Sequence, residues 1–87
     1  MKAVLVEYFG TFFFLYVIIA TGNFLAIGAA LALVVYLGGK ISGGNFNPAV
    51  TIMMVLADKQ HVNTLVPYIA AQILGGICAL QLYKTVM

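Results

Sequence analysis

Asn47-Pro48 is the place in this sequence where residue types and spacing point most directly to chemistry. Proline is favoured at the first position of a helix, where its missing N–H would have gone unpaired. Asparagine before it is a favoured N-cap, its side-chain oxygen accepting the N–H of Ala49 or Val50. With the oxygen so committed, the two N–H donors of the carboxamide remain to face another group. The helix N-terminus adds about half a positive charge. Together these favour the oxygen of a neutral molecule and oppose cations, hydronium included. Upstream, Gly43, Gly44, Asn45 and Phe46 are expected to run extended, with their carbonyls as acceptors and the glycines letting backbone approach a solute closely.

Other chemistries find no support. Glu7, Asp58 and His61 are the candidates for acid–base work, and no spacing pairs them. His61 stands beside Lys59 with no second ligand near it, so it reads as a solvated loop residue and no metal or cofactor is expected. Gly38-Gly39-Lys40-Ile41 lacks the Ser/Thr and upstream Gly of a phosphate loop. Met53 and Met54 read as packing residues. The expectation is a protein that is not an enzyme.

The elements that must position Asn47 are set by an unusually apolar composition. Hydrophobic residues make up 64% and charged residues 7% of the chain, and the mean hydropathy is +1.13. Soluble domains hold about 25% charged residues, so these side chains cannot coat a soluble surface. A multi-pass integral membrane protein is the class that fits. The net charge of +2 comes from Lys2, Lys40, Lys59 and Lys84, which sit apart and form no nucleic-acid patch. Cys78 lies in an apolar run, has no intrachain partner and reads as a packing residue. Lys2 and the apolar run behind it mimic a cleaved leader, but Glu7 interrupts that run and its length favours a membrane span.

Three apolar stretches are long enough to cross a bilayer: residues 3–21, 24–40 and 64–84. Gly22-Asn23 supplies a tight turn between the first two. Asn63 or Thr64 starts the third, with Pro67 tolerated in its first turn. Residues 41–57 differ. A polar, glycine-rich approach leads to a ten-residue apolar run that is only ~15 Å long as a helix, half of the ~30 Å hydrocarbon core. It cannot span, so it reads as a re-entrant half-helix. The chain between Lys40 and Asn47 can extend over roughly 23 Å, enough to reach the midplane as loop. Loop backbone at that depth must be wrapped in protein or line a wet cavity, and there a pore water is the natural partner for the free donors of Asn47. Small residues every four positions, Ala71, Gly75 and Ala79 on the third span and Gly28 and Ala32 on the second, suit close helix packing. Phe9, Phe12, Phe13 and Phe14 give the first span bulk suited to lipid or to filling gaps.

Ser42-Gly43-Gly44-Asn45-Phe46-Asn47-Pro48-Ala49-Val50-Thr51 resembles the first-loop signature of the aquaporin (major intrinsic protein) family. Glu7 and Thr11 resemble that family's Glu-x-x-x-Thr on its first helix, and Tyr68-Ile69-Ala70-Ala71-Gln72 resembles its third helix. The resemblance covers nearly the whole chain and implies an all-α membrane fold, three transmembrane helices plus one re-entrant half-helix, across residues 1–87. By position alone, a carboxylate about 9 Å into the first helix fits an interfacial residue as well as an intramembrane one. The resemblance gives Glu7, with Thr11 and Gln72, the role of a brace that accepts loop N–H groups.

The function implied is a channel for water, and possible passage of glycerol-sized neutral solutes, through a pore at Asn47-Pro48-Ala49. Two departures stand out: Asn45 replaces a His common in the family, and no Arg is present to narrow a filter. These residues hold one repeat where the family has two in inverted orientation, so a pore needs a second repeat. The expected partner in the bilayer is an antiparallel copy, with four pores per assembly as an extension, or a chain bearing the complementary repeat. Lys2, Lys40 and Lys59 at one end against Lys84 at the other favour a single orientation. In a homodimer, the filter positions implied by repeat symmetry are Ile27, Val35, Gly44 and Val50, all small or apolar. The rival reading is a small non-conducting or holin-like membrane assembly protein, which leaves a half-length helix with an Asn-Pro cap unexplained.

Overall fold

Helix ends divide the chain where local chemistry provides caps. In the computed structural model, which describes all residues Met1–Met87, α1 runs Lys2–Thr21, α2 Phe24–Ser42, α3 Pro48–Leu56 and α4 Leu65–Val86. Gly22 closes α1 with a left-handed φ of 57° and donates its N–H to Ile18, and Asn23 then caps α2 by accepting the N–H groups of Leu25 and Ala26 at 3.0 Å each. This two-residue turn sets α1 and α2 antiparallel. A short 3₁₀ turn, Val62–Thr64, precedes α4. It is capped by His61, whose Nδ1 accepts the Asn63 N–H at 3.0 Å, whereas Thr64 makes no side-chain cap. The Thr64 hydroxyl is spent instead on the His61 carbonyl at 2.7 Å. Pro67 sits at the third position of α4, where no intrahelical N–H is required.

α1, α2 and α4 are each long and apolar enough to cross a membrane. α3 has nine residues, ~14 Å, and cannot. α1 lies between α2 and α4, and α3 leans on α4. The α1–α4 seam is built on Ala71, Gly75 and Ala79, all buried. A Cβ at Gly75 would stand 2.7 Å from the Tyr8 carbonyl oxygen, so glycine is what lets the two backbones meet.

On α2 the packing face is not the Gly28–Ala32 pair suggested by small-residue spacing. Both are exposed, and nothing lies within 4 Å of a Cβ built on Gly28. Ala30, Val34, Gly38 and Ser42 are buried instead. Gly38 decides the register: a Cβ there would meet Val6 Cγ1 at 2.6 Å, so this glycine must face α1, and the residues four and eight earlier follow it. The outward faces carry exposed Phe9, Leu25, Tyr36, Leu37, Ile73 and Leu74, as lipid contact requires. Inside, six of the 14 buried residues are polar or charged: Glu7, Thr11, Ser42, Asn45, Thr51 and Gln72. Hydrogen bonds therefore organise this interior as much as apolar packing does.

Candidate functional site

The polar interior converges on Glu7, which has no exposed surface. Its Oε1 accepts the Phe46 N–H at 2.7 Å and Gln72 Nε2 at 2.8 Å. Its Oε2 accepts the Ser42 hydroxyl at 2.7 Å and the Asn45 N–H at 3.1 Å. Four donors fill the acceptor capacity of a carboxylate and satisfy two loop N–H groups that would otherwise be unpaired away from water. Gln72 spans α4 and α3, since its Nε2 also donates to Thr51 Oγ1 at 2.8 Å. Thr51 takes a further bond from Asn45 Nδ2 at 2.9 Å. Thr11 does not join this set: its buried Oγ1 has no hydrogen-bond partner in the chain.

The descent to α3 is not extended. Gly43, Gly44 and Phe46 have φ of 92°, 68° and 55°, all left-handed. The cause is the carboxylate, which draws the consecutive N–H groups of Asn45 and Phe46 to one point, so the backbone curls around Glu7. Glycine adopts this conformation freely at the first two positions. At Phe46 it costs roughly 1–2 kcal/mol, offset by burial of the ring, which is 1% exposed. That ring rests on two glycines: a Cβ on Gly10 would run into Phe46 Cε1, and one on Gly38 would lie 3.4 Å from its Cζ. The side chains of Asn45 and Phe46 thus point into the chain, and from these residues only backbone faces outward.

Asn47 is extended at φ −162° and begins α3, with Pro48 at the first helical position. Its Oδ1 accepts the Ala49 N–H at 2.8 Å and its carbonyl the Thr51 N–H at 3.0 Å. Its Nδ2 has no partner within the chain, and the residue is exposed. Asn47 and Pro48 form one side of a groove of about 590 Å³ between α1 and α4, lined also by Thr11, Leu15, Gln72 and Ile77. Thr11 is nine steps into α1, ~13.5 Å from its start, so Asn47 stands near mid-span. Of the positions named as a filter, Val35 and Gly44 meet: a Cβ on Gly44 would be 3.5 Å from Val35 Cγ1. Ile27, half-buried, is two turns along α2 from Val35, ~12 Å away, and Val50 is half-buried on α3.

Sequence reasoning quoted Ser42, Thr51 and Tyr68 within motifs but gave no role to them or to Gln60. Ser42 ends α2 two residues beyond Lys40 and holds Glu7, while its carbonyl accepts the Tyr68 hydroxyl at 2.7 Å. Gln60, between α3 and α4, accepts Asn45 Nδ2 at 2.9 Å. A polar residue in an apolar run was the available signal for Thr51 and Tyr68, whereas Ser42, in a polar glycine-rich stretch, and Gln60, one polar residue among several in its loop, carried none.

Comparison with known proteins agrees with this architecture. The family model described as Major intrinsic protein matches residues 1–87. Glycerol uptake facilitator protein-like 6 of Lactiplantibacillus plantarum is 42% identical over 91% of this chain and 41% of its own length. Probable aquaporin PIP2-8 of Arabidopsis thaliana is 36% identical, over 99% of this chain and 37% of its own. Aquaporin Z of Photorhabdus laumondii is 43% identical, over 67% and 25% respectively. The chain thus spans no more than 41% of the length of these relatives. With three helices able to span a membrane and one half-helix, it is an integral membrane protein of the major intrinsic protein family.

Proposed function

We propose that this chain is one half of a passive channel for water and small neutral solutes, completed by a second repeat that faces Asn47. The observation that carries the reading is the carboxamide of Asn47: its oxygen is held by Ala49, and its two donors are free at mid-span beside a groove. A solute oxygen passing that point receives N–H donors and meets the positive end of α3, an arrangement that repels cations. Names among the relatives, a glycerol uptake facilitator and aquaporins, agree with this solute class.

The second repeat is an antiparallel copy of the chain or a complementary repeat, and four such pores can share one assembly. Ile27, Val35, Gly44 and Val50 are the positions proposed to set the width of each mouth. All are apolar or small, so the pore admits glycerol-sized solutes as well as water. The test is stopped-flow swelling of vesicles containing this chain, read for water, glycerol and ions. Water and glycerol entry without ion conductance is expected, and Asn47→Asp, which replaces donors by a carboxylate, should reduce water flux roughly tenfold, equivalent to about 1.4 kcal/mol. Unchanged flux in Asn47→Asp would remove the carboxamide from the mechanism. Ion leakage would favour a holin-like assembly, and cysteine-accessibility mapping that found every copy in one orientation would exclude the antiparallel homodimer.

A further inference from the structure

The re-entrant segment enters and leaves the bundle at the same end, and something must hold its two limbs together. α3 packs on α4 alone among the helices with substantial contact, and its descending limb is tied to Glu7. Between the end of α3 at Leu56 and the start of α4 at Leu65, one side chain reaches back to the descending limb, that of Gln60. Its Oε1 accepts Asn45 Nδ2 at 2.9 Å, and its own Nε2 donates to Thr64 Oγ1 at 2.8 Å. Thr64 is anchored in turn on the His61 carbonyl. Gly43 sits at the same neck, where a Cβ would lie 3.7 Å from both Asn45 Oδ1 and Gln60 Oε1.

We infer that Gln60 is a positioning residue for the half-helix, closing the neck of the re-entrant segment by binding Asn45 on the way in and Thr64 on the way out. The pairing accounts for the carboxamide at position 45. Its two N–H groups serve two acceptors, Thr51 Oγ1 inside the segment and Gln60 Oε1 at the neck. A neutral imidazole has one N–H and could serve only one of them. Gln60 is half-buried and outside every helix, so its effect on the bundle itself is small. Its effect falls instead on where Asn45, Phe46 and hence Asn47 stand, because Asn45 and Phe46 lie outside every helix and are held by bonds to distant side chains, Gln60 among them.

The functional arm of the test rests on the channel reading, and the structural arm does not. Gln60→Leu, which removes both bonds, is expected to speed amide hydrogen exchange of the segment containing Asn45 and Phe46 by roughly fivefold or more. It is also expected to change the glycerol-to-water permeability ratio by about twofold or more, with helix content and assembly size unaltered. The exchanged pair, Asn45→Gln with Gln60→Asn, keeps a carboxamide on each side of the neck and should return both readouts toward the parent. Thr64→Val, which removes the outer Gln60 bond together with the Thr64–His61 bond and leaves Asn45–Gln60 in place, should give a smaller rise in exchange and serves as the variant if Gln60→Leu does not fold. Unchanged exchange at Asn45 and Phe46 in the folded variants would overturn the inference, as would failure of the exchanged pair to restore it. Absence of flux from the parent chain would instead remove the channel reading and leave exchange to decide the neck.

Discussion

Two asparagines in this chain cap helices in nearly the same way, and the proposed function gives a solute to only one of them. Asn23 begins α2 in an extended conformation and accepts two N–H groups, from Leu25 and Ala26. Asn47 begins α3, also extended, and accepts one, from Ala49; the Val50 N–H, the counterpart of that of Ala26, makes no bond to it. Both leave their amide donors without a partner in the chain. Asn23 does so at a turn between two full spans, where water at the interface is free to reach it. Asn47 does so near mid-span beside a groove, away from the interface, so its partner must be whatever the groove admits. The cap is therefore a general device. What sets the Asn47 cap apart is the loop that carries it to mid-span, and that loop is held by Glu7.

The comparison breaks most completely if that hold is removed. Glu7→Leu leaves the Ser42 hydroxyl, two backbone N–H groups and one bond of Gln72 without their acceptor. Unpaired buried donors cost about 1–3 kcal/mol each, so a stability loss of at least ~3 kcal/mol is expected. Thermal unfolding in detergent measures it, and a melting temperature close to that of the parent would show that other groups support the loop. Glu7→Gln, which keeps two acceptor lone pairs but adds two donors with nowhere to bond, should fall between the two.

A smaller and more selective effect is expected from Asn47→Ala. It removes the cap, worth about 1 kcal/mol, and with it both free donors. Stability should fall by that amount only, while water flux per protein falls roughly tenfold. Equal flux with reduced stability would place Asn47 in the same class as Asn23, a cap and no more.

The difference between the two caps was partly legible from residues alone. Capping is local, so Asn-Pro announces a helix start wherever it occurs, and a run of about ten apolar residues announces that the helix is too short to span. The Ala71–Gly75–Ala79 seam was legible for the same reason, since a four-residue spacing on one helix needs no partner to be recognised. The fold of the descending loop was not. Residues 43–46 looked extended because glycines permit that form, yet a carboxylate 38 and 39 positions earlier collects the N–H groups of Asn45 and Phe46 and turns the chain left-handed. The glycines beneath Phe46 and the Gln60 bond at the neck are likewise meetings of distant positions. Their residue types are ordinary until the fold brings them together. Gly28 and Ala32 show the converse: the spacing was right, but the face was set by Gly38 against Val6.

Asn23→Ala gives the smallest expected effect and the most discriminating one. It unseats two N–H groups at the start of α2, a helix that is otherwise held along its length by α1. The cost is about 1 kcal/mol, comparable to that of Asn47→Ala, and it arises by the same chemistry. Because Asn23 lies outside the re-entrant segment, water flux per folded protein should remain that of the parent. Two variants matched in residue type, in substitution and in stability loss would then differ in flux alone. That outcome assigns the difference to the free amide donors near mid-span rather than to helix capping. Equal losses of flux would mean instead that conduction follows the general firmness of the helices, and the special position of Asn47 would have to be abandoned.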